Sequence, residues 1–286
     1  LIRFPAQNTT ADYDVVECTV ASTVKEIAPY AFANTGVTDV NLPSGLETIG
    51  DYAFYSATKL VDITIPGSVK TIGVGAFRDC WKMTKATLPE GLETIPRECF
   101  IGCRKLESVN IPDSVTTIGN MAFTGCALKE INISKNLTEI SIPGYTFSGC
   151  PAAITVDAAN PNYSADERGV LYNKDKSLLL HCPNFEKAFT FDINCNIDQY
   201  AFYNCANLTD VTFSYAIKKI PYAAFRNCGS LKITTVPDTV RMIDQVAFDG
   251  CGMTEFYLPD SVEYVGTQAF SSTPLTHFEF NDKVDT

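Results

Sequence analysis

The sequence predicts an α/β solenoid, in which short parallel strands alternate with short helical segments along stacked coils. A phenylalanine recurs ten times at 22 to 24 residues, with one gap of 55 residues. Each phenylalanine follows a short alternating run of apolar residues, and a proline often ends that run. A single coil of this length cannot bury its own core, so neighbouring coils must stack. The ten positions are Phe32, Phe54, Phe77, Phe100, Phe123, Phe147, Phe202, Phe225, Phe248 and Phe270.

The first half of each coil is predicted to be a strand. Apolar residues stand at offsets 0, +3 and +5, as in Leu60, Ile63 and Ile65, and the last two flank a polar residue. This alternation is the period-2 pattern of a half-buried strand. Proline cannot donate to a β-ladder, so a following proline ends the strand. Twelve strands are expected, near residues 15–20, 37–42, 60–65, 83–88, 106–111, 128–133, 151–156, 186–191, 208–213, 231–236, 253–258 and 275–280.

The second half of each coil is expected to form a short α-helix or 3₁₀-helix on the opposite side. The spacing of Ile118, Ala122, Phe123 and Cys126 is closer to helical than to strand periodicity. A period of 20 to 29 residues indicates a leucine-rich-repeat solenoid. We expect one right-handed solenoid domain over residues 1–286, with about one strand per 23 residues.

The 55-residue gap predicts an insertion at about residues 157–185. Apolar triplets at 170–172 and 178–180 flank a polar stretch, which indicates a β-hairpin with a four-residue loop. Insertions in repeat arrays fall on one face and often bind partners. The alternative is a spacer that only covers a break in the stack.

The eleven cysteines are predicted to be mostly buried thiols rather than disulfides. Seven of them stand three residues after a repeat phenylalanine, and other coils have Thr or Ala at the same place. Stacked residues one strand apart are too far apart and too parallel for a disulfide. Scattered disulfides and a zinc site are the less favoured alternatives. A zinc site is disfavoured because no C-x-x-C pair occurs. The seven are Cys80, Cys103, Cys126, Cys150, Cys205, Cys228 and Cys251.

The recurring Pro-Asp-Ser-Val, Ile-Gly, Ala-Phe and Gly-Cys segments resemble the BspA-like (Treponema pallidum type) leucine-rich repeats. The resemblance covers about residues 13–281, and the insertion resembles a segment that interrupts many such proteins. The family is known from surface or secreted proteins of gut and oral bacteria and from mucosal protozoa. The resemblance implies a secreted or cell-surface protein that adheres to host matrix proteins or to other microbes. Family membership fixes the fold better than the partner.

Composition excludes several classes of function. The net charge of −11 and the pI of about 4.7 argue against binding to nucleic acid or to anionic membranes. No run of 18 apolar residues predicts a spanning helix, so membrane insertion is not expected. His181 and His277 lie in no nucleophile or metal motif. We therefore expect no enzyme, catalytic residue, metal ligand or cofactor.

The candidate binding residues lie on the outward face of the strands, between the buried positions. Polar residues occupy these places in most coils, and the last coils depart most from the pattern. An exposed aromatic residue among polar ones is a plausible anchor. The lone tryptophan either fills core space or contacts a ligand. The candidates are Tyr257, Glu255, Glu279, His277, Asn110, Asn132 and Trp81.

The sequence therefore predicts an exported adhesion module with a polar, mildly acidic sheet face. The expected partner is an extracellular matrix protein or a mucosal or microbial surface protein. The main alternatives are a solvated face with no ligand and a structural spacer that holds another domain away from the cell. The chain starts at Leu1 and ends soon after Phe280 without a polar cap. We expect it to be part of a longer exported protein or to associate end to end with another copy.

Overall fold

The computed structural model describes residues 16–184, 187–214 and 217–279. The chain divides into two compact units: unit 1 comprises Leu1–Ser141 and Thr155–Pro161, and unit 2 comprises Ile142–Ile154 and Asn162–Thr286. In both units the described residues form parallel β-solenoid coils of the leucine-rich-repeat type with almost no helix.

Most coils contribute two strands to the fold. The first twelve strands are β1 (Val16–Thr19), β2 (Glu26–Ile27), β3 (Val37–Asn41), β4 (Thr48–Ile49), β5 (Asp62–Thr64), β6 (Thr71–Ile72), β7 (Lys85–Thr87), β8 (Thr94–Ile95), β9 (Ser108–Asn110), β10 (Thr117–Ile118), β11 (Glu130–Ile133) and β12 (Glu139–Ile140). The chain continues with α1 (Pro143–Thr146), β13 (Ala153–Val156), β14 (Tyr163–Ala165), β15 (Leu171–Asn173), β16 (Leu178–His181), β17 (Ala188–Thr190), β18 (Asn196–Ile197), β19 (Asp210–Thr212), β20 (Lys219–Ile220), β21 (Met242–Ile243), β22 (Glu255–Tyr257), β23 (Tyr264–Val265) and β24 (His277–Glu279).

The longer strands of the coils, here called the front strands, confirm eleven of the twelve predicted strands. They pair in parallel, as where Asp62, Lys85 and Ser108 lie in register across β5, β7 and β9. Residues 231–236 form no strand, although Lys232 N donates to Thr209 O at 3.0 Å. The outer ends of the first and last predicted strands, Val15 and Phe280, lie outside the described residues. The front strands are β1, β3, β5, β7, β9, β11, β13, β17, β19, β22 and β24.

The second set consists of two-residue strands, here called the Ile strands, which sequence reasoning missed. They form parallel ladders such as β2–β4–β6 and β8–β10–β12. A two-residue strand is too short to show a period in the sequence. The spacing of its isoleucine, or of Val265 in β23, from the following phenylalanine therefore suggests a helical segment instead. The Ile strands are β2, β4, β6, β8, β10, β12, β18, β20, β21 and β23.

The prediction of an α/β fold with a helical segment in each coil is wrong. Among the described residues the only helix is α1, which has four residues. Around nine of the ten repeat phenylalanines the chain turns through two left-handed residues, such as Tyr30 (φ 59°) and Asn34 (φ 55°) on either side of Phe32, whereas α1 precedes Phe147. A helix needs an unbroken right-handed backbone, so two left-handed residues per coil prevent it. Equivalent residues with positive φ include Tyr52, Ser56, Gly75, Asp79, Glu98, Gly102, Met121, Gly125, Tyr200, Asn204, Ala223, Asn227, Val246, Gly250, Gln268 and Ser272.

We call these turns around the phenylalanines the Phe turns. Some of their backbone N–H groups donate within the turn, and others donate to the next coil. Ala31 N donates within the turn to Ala28 O at 3.1 Å, whereas Phe32 N donates to Ala53 O of the next coil at 2.7 Å. The same alternation recurs at later phenylalanines. An α-helix would keep all of these bonds within one coil, so the turn geometry is what joins the coils on this side.

The core includes a phenylalanine stack with cysteines beside it, surrounded by buried Leu, Ile and Val residues. The rings of Phe54 and Phe77 are 5.2 Å apart with planes 10° from parallel, and the other stacked phenylalanines within each unit are similar. Cys80 Sγ donates to Phe54 O at 3.1 Å, and Cys103 Sγ donates to Phe77 O at the same distance. All eleven cysteines are buried and form no disulfide, which confirms the prediction of buried thiols.

The insertion contains the predicted hairpin and one further strand. Strands β15 and β16 are antiparallel around the loop of residues 174–177, and β14 pairs with β15 on its other side. Strand β16 also pairs in parallel with β18, where Leu179 lies opposite Ile197. Strand β16 of the hairpin therefore takes the place that an Ile strand has in the other coils.

This coil lacks the repeat phenylalanine. Cys182 takes its place, because Cys182 N donates to Ala201 O at 2.8 Å, the bond that the phenylalanine makes elsewhere. The neighbouring His181 ring lies 5.7 Å from the Phe147 ring. The imidazole is 2% exposed, and neither nitrogen has a hydrogen-bond partner among the described residues.

Candidate functional site

Four of the predicted site residues come together on the front strands of unit 2. Strands β22 and β24 pair in parallel, with Glu255 opposite His277 and Tyr257 opposite Glu279. The alternation of the strands buries Phe256 and exposes the residues on either side of it. We call Glu255, Tyr257, His277 and Glu279 the Tyr257 patch.

The tyrosine is the centre of the Tyr257 patch. Its side chain is 41% exposed, and its hydroxyl donates to Glu255 Oε2 at 3.4 Å. Its ring lies 5.5 Å from the His277 ring, tilted by 51°. The patch therefore presents an accessible aromatic face that its polar neighbours partly orient.

The electrostatics of the patch are acidic. The Glu255 carboxylate raises the pKa of the Tyr257 phenol, and Glu279 adds a smaller effect in the same direction. Among the described residues neither glutamate forms a salt bridge. The two carboxylates flank the aromatic ring, so a Lys or Arg side chain on a partner could pair with a carboxylate or lie over the ring.

Asn110 and Asn132 lie on the front strands of unit 1, and their amides join neighbouring strands. Asn110 Oδ1 accepts from Leu88 N at 2.8 Å, and its Nδ2 donates to Leu88 O at 3.2 Å. Asn132 Oδ1 accepts from the Thr155 hydroxyl. These bonds hold strands together, which is the role expected of a solvated face with a structural ladder.

Trp81 lies in a turn of unit 1 and is 50% exposed. The interpretation that it fills core space is therefore wrong. The Arg104 guanidinium of the next coil is 6.0 Å from its ring centroid. The sequence does not show this exposure, because a turn lacks the alternation that separates inward from outward positions in a strand.

The insertion uses its most polar cluster for internal contacts. Asp166 Oδ2 accepts from the Arg168 guanidinium at 2.8 and 3.0 Å, and Asp166 Oδ1 accepts from two backbone N–H groups at 3.0 Å each. The same guanidinium lies 4.7 Å from the Phe189 ring and donates to Thr190 O at 3.0 Å. These contacts tie the insertion to the following coil, as expected for the spacer alternative.

Sequence reasoning missed a groove of mixed polar and apolar lining between two front strands of unit 1. Strands β3 and β5 share no ladder among the described sheets, and a groove of about 320 Å³ opens there. Its lining includes Asp39, Asn41, Ser44, Asp62 and Thr64. The repeat pattern predicted a continuous sheet here, so no signal in the sequence marked the break.

Sequence reasoning also missed a row of basic residues in unit 1. Lys59, Lys82 and Lys105 recur at 23 residues, which is a signal that the repeat alignment could have shown. They lie at equivalent positions in the turns of three successive coils, and two of these turns also contain Trp81 and Arg104.

Two other classes of feature are absent from the part of the chain that the structure describes. Across residues 16–184, 187–214 and 217–279, no group of three or more His, Cys, Asp or Glu side chains could hold a metal ion. In the same ranges no helix has the length and apolar character needed to cross a membrane.

Comparisons with known proteins agree with the repeat analysis. The family model for the BspA type leucine rich repeat region matches six copies, over residues 25–154 and 181–286. No curated protein matches the chain. A leucine rich cell surface protein from Faecalibacterium prausnitzii is 27% identical, with 93% of this chain and 87% of that chain covered and a TM-score of 0.67.

Two further solved structures share the fold at lower identity. The pneumococcal vaccine antigen PcpA is 17% identical, with 100% of this chain and 72% of that chain covered and a TM-score of 0.65. A leucine-rich repeat protein from Bacteroides ovatus is 23% identical, with 93% and 67% covered and a TM-score of 0.51. A solenoid of this type is typically a scaffold for protein interactions, and no enzyme family is indicated.

Proposed function

Because the chain belongs to the BspA type leucine rich repeat family, we propose that it is an exported binding module that contacts a protein partner through the Tyr257 patch. Membership of this family suggests a protein-interaction or surface role. The similarity to a cell surface protein of Faecalibacterium prausnitzii supports display at the cell surface or secretion. The finer assignment, adhesion through one patch, rests on the geometry of that patch.

The observation that carries the proposal is the departure of β22 and β24 from the repeat. At the position of Tyr257 the other front strands have Thr or Asn, such as Thr212 in β19 and Asn132 in β11. The Asn132 amide accepts a hydrogen bond from Thr155 of the next strand, whereas the Tyr257 hydroxyl donates to Glu255 of its own strand. Large aromatic residues that remain accessible are enriched at the centres of protein interfaces.

The charge of the patch indicates the kind of partner. Glu255 and Glu279 have no salt bridge among the described residues, and the chain has a net charge of −11. A partner with Lys or Arg beside an apolar contact would satisfy both the carboxylates and the tyrosine ring. Extracellular matrix proteins and mucosal or microbial surface proteins are the candidate class.

The experiment compares two variants on an array of matrix proteins, mucins and microbial surface proteins. The consensus-face variant, Glu255→Ser, Tyr257→Thr and Glu279→Asn, replaces the patch with residues that other front strands have at these positions. The control variant, Glu93→Gln and Glu139→Gln, removes two exposed glutamates of unit 1, so both variants lose two negative charges. We expect the wild-type chain and the control to bind the same partner and the consensus-face variant to lose at least about tenfold in affinity.

A structural spacer is the second candidate, and the unit 1 ladder supports it. The side-chain amides of Asn110 and Asn132 form hydrogen bonds with residues of neighbouring coils. These bonds make that part of the face rigid. Absence of binding to every array member by a folded, monomeric chain would favour the spacer. Binding that survives in the consensus-face variant would move the site away from the Tyr257 patch.

A further inference from the structure

Three consecutive coils of unit 1 contain the same four-residue turn between the Phe turn and the front strand. Each turn is closed by a bond from its last N–H to its first carbonyl: Leu60 to Ala57 at 3.1 Å, Met83 to Cys80 at 3.0 Å and Leu106 to Cys103 at 2.9 Å. The first and last side chains of all three turns are fully buried. The two central residues of each turn therefore occupy equivalent places on the surface.

The central positions of these turns hold four cations and the only tryptophan. The pairs are Thr58-Lys59, Trp81-Lys82 and Arg104-Lys105. Lys82, Arg104 and Lys105 are exposed, and none of them pairs with a carboxylate in the part of the chain that the structure describes. We call Lys59, Trp81, Lys82, Arg104 and Lys105 the basic turn strip.

The strip is compact. Successive coils advance by 5.2 and 5.4 Å at the stacked rings of Phe54, Phe77 and Phe100. Three lysines thus recur at about 5 Å per coil, roughly the spacing of adjacent strands. Like charges at this spacing repel one another, and half of the Trp81 surface remains exposed to water.

The fold does not require these residues. Unit 2 makes the same turn twice, with Leu208 N donating to Cys205 O at 3.0 Å and Leu231 N donating to Cys228 O at 2.9 Å. The central pairs there are Ala206-Asn207 and Gly229-Ser230, which are uncharged. The turn geometry therefore does not account for the exposed cations Lys82, Arg104 and Lys105, nor for Trp81, whose ring centroid lies 6.0 Å from the Arg104 guanidinium.

We propose that the basic turn strip binds an anionic polysaccharide, a linear glycan that carries sulfate or carboxylate groups. The lysines and Arg104 pair with successive anionic groups along the glycan. The accessible face of Trp81 packs against the C–H face of a sugar ring. This site lies in unit 1 and is separate from the residues of the Tyr257 patch.

The geometry favours a glycan over an acidic peptide or a nucleic acid. A peptide that binds as a strand or a helix needs a free sheet edge or an apolar groove. The strip offers neither, because the N–H group that closes each turn donates to a carbonyl of the same turn. Proteins that bind single-stranded nucleic acid stack successive bases on several aromatic side chains, and the strip contains one, Trp81. A glycan needs only spaced cations and a flat apolar surface.

Binding to immobilised polysaccharides tests the proposal. Heparin is the sulfated probe, hyaluronan is the carboxylated probe and dextran is the neutral reference. The strip variant is Lys59→Asn, Lys82→Asn and Lys105→Ser, which copies the uncharged turns of unit 2. The control variant, Lys70→Asn, Lys135→Asn and Lys218→Asn, removes three exposed lysines elsewhere and changes the net charge equally.

We expect the wild-type chain and the control to bind heparin, hyaluronan or both, and not dextran. The strip variant should bind at least about tenfold more weakly, because it loses three ion pairs of modest individual strength. Trp81→Ala should weaken binding while leaving its dependence on salt unchanged, since salt reports the ion pairs.

Three results would overturn the proposal. One is that the wild-type chain binds neither anionic polysaccharide. Another is that the control variant weakens binding as much as the strip variant does. The third is that poly-glutamate binds through the strip while neither polysaccharide does, which would assign the strip to an acidic peptide. None of these results bears on the Tyr257 patch, whose residues all the strip variants retain.

Discussion

His181 makes the stability of unit 2 depend on pH. The imidazole is buried against Phe147, and both of its nitrogens lack a hydrogen-bond partner among the described residues. Burial lowers the pKa of His181 from 6.5 to about 3. The folded chain therefore holds this side chain neutral under conditions in which an unfolded chain would protonate it.

The sign and size of the effect follow from the two pKa values. Between about pH 6.5 and about pH 3 the unfolded state binds a proton that the folded state does not, so the free energy of unfolding falls as the pH falls. The loss from about pH 8 to about pH 5 is about 2 kcal/mol, and it reaches about 3 kcal/mol at about pH 4. Above about pH 8 this contribution no longer changes with pH.

The test is urea unfolding of the wild-type chain and of His181→Leu, followed by circular dichroism at several pH values. The leucine fills similar space without unsatisfied nitrogens, so the variant should be as stable as the wild type or more stable at neutral pH. It should also lose about 2 kcal/mol less between about pH 8 and about pH 5. His277→Gln, which removes the other, exposed histidine, is the control. Equal losses in the wild type and in His181→Leu would show that His181 does not cause the pH dependence.

Three further predictions concern the stacked core. Phe77→Ala should lower the free energy of unfolding by about 3–5 kcal/mol, because it empties one layer of the ring stack, and urea unfolding measures the loss. Gly119→Ala should lower the free energy of unfolding by about 1–3 kcal/mol, since the new Cβ would lie 2.4 Å from Arg97 N. Gly67→Ala is the control, because a Cβ at Gly67 would have open space around it. Equal effects of the two substitutions would contradict close packing at Gly119. Burial raises the pKa of the Cys80 and Cys99 thiols, so a thiol reagent should modify the cysteines only after unfolding. Fast labelling of the native chain would contradict that burial.

The front strands could be predicted from the sequence because their period-2 alternation is strong and repeats. The same alternation predicts that Tyr257 and Glu279 occupy equivalent outward positions on neighbouring strands, and they lie opposite each other in β22 and β24. The buried thiols were predictable for a related reason: a position that alternates between Cys, Thr and Ala must be small. Each of these inferences used a periodic signal that one coil alone would not provide.

The parts that could not be predicted depend on backbone geometry. The residues two before each phenylalanine include Tyr30, Glu98 and Met121, which have no intrinsic preference for positive φ. Only bonds between coils hold them there, so local reasoning favoured a helix. The buried position of His181 depends on Cys182 replacing a phenylalanine and on the hairpin supplying an Ile strand, and neither substitution has a periodic signal in the sequence.

The most direct test of the central claim is an equilibrium titration of the wild-type chain and the consensus-face variant against one matrix protein recovered from the array, at low and at high salt. We expect saturable binding by the wild-type chain that weakens as salt is raised, because Glu255 and Glu279 pair with cations of the partner. We also expect at least a tenfold weaker affinity, about 1.4 kcal/mol or more, for the variant. Equal affinities of the two folded proteins at both salt concentrations would contradict the claim that the Tyr257 patch is a binding site.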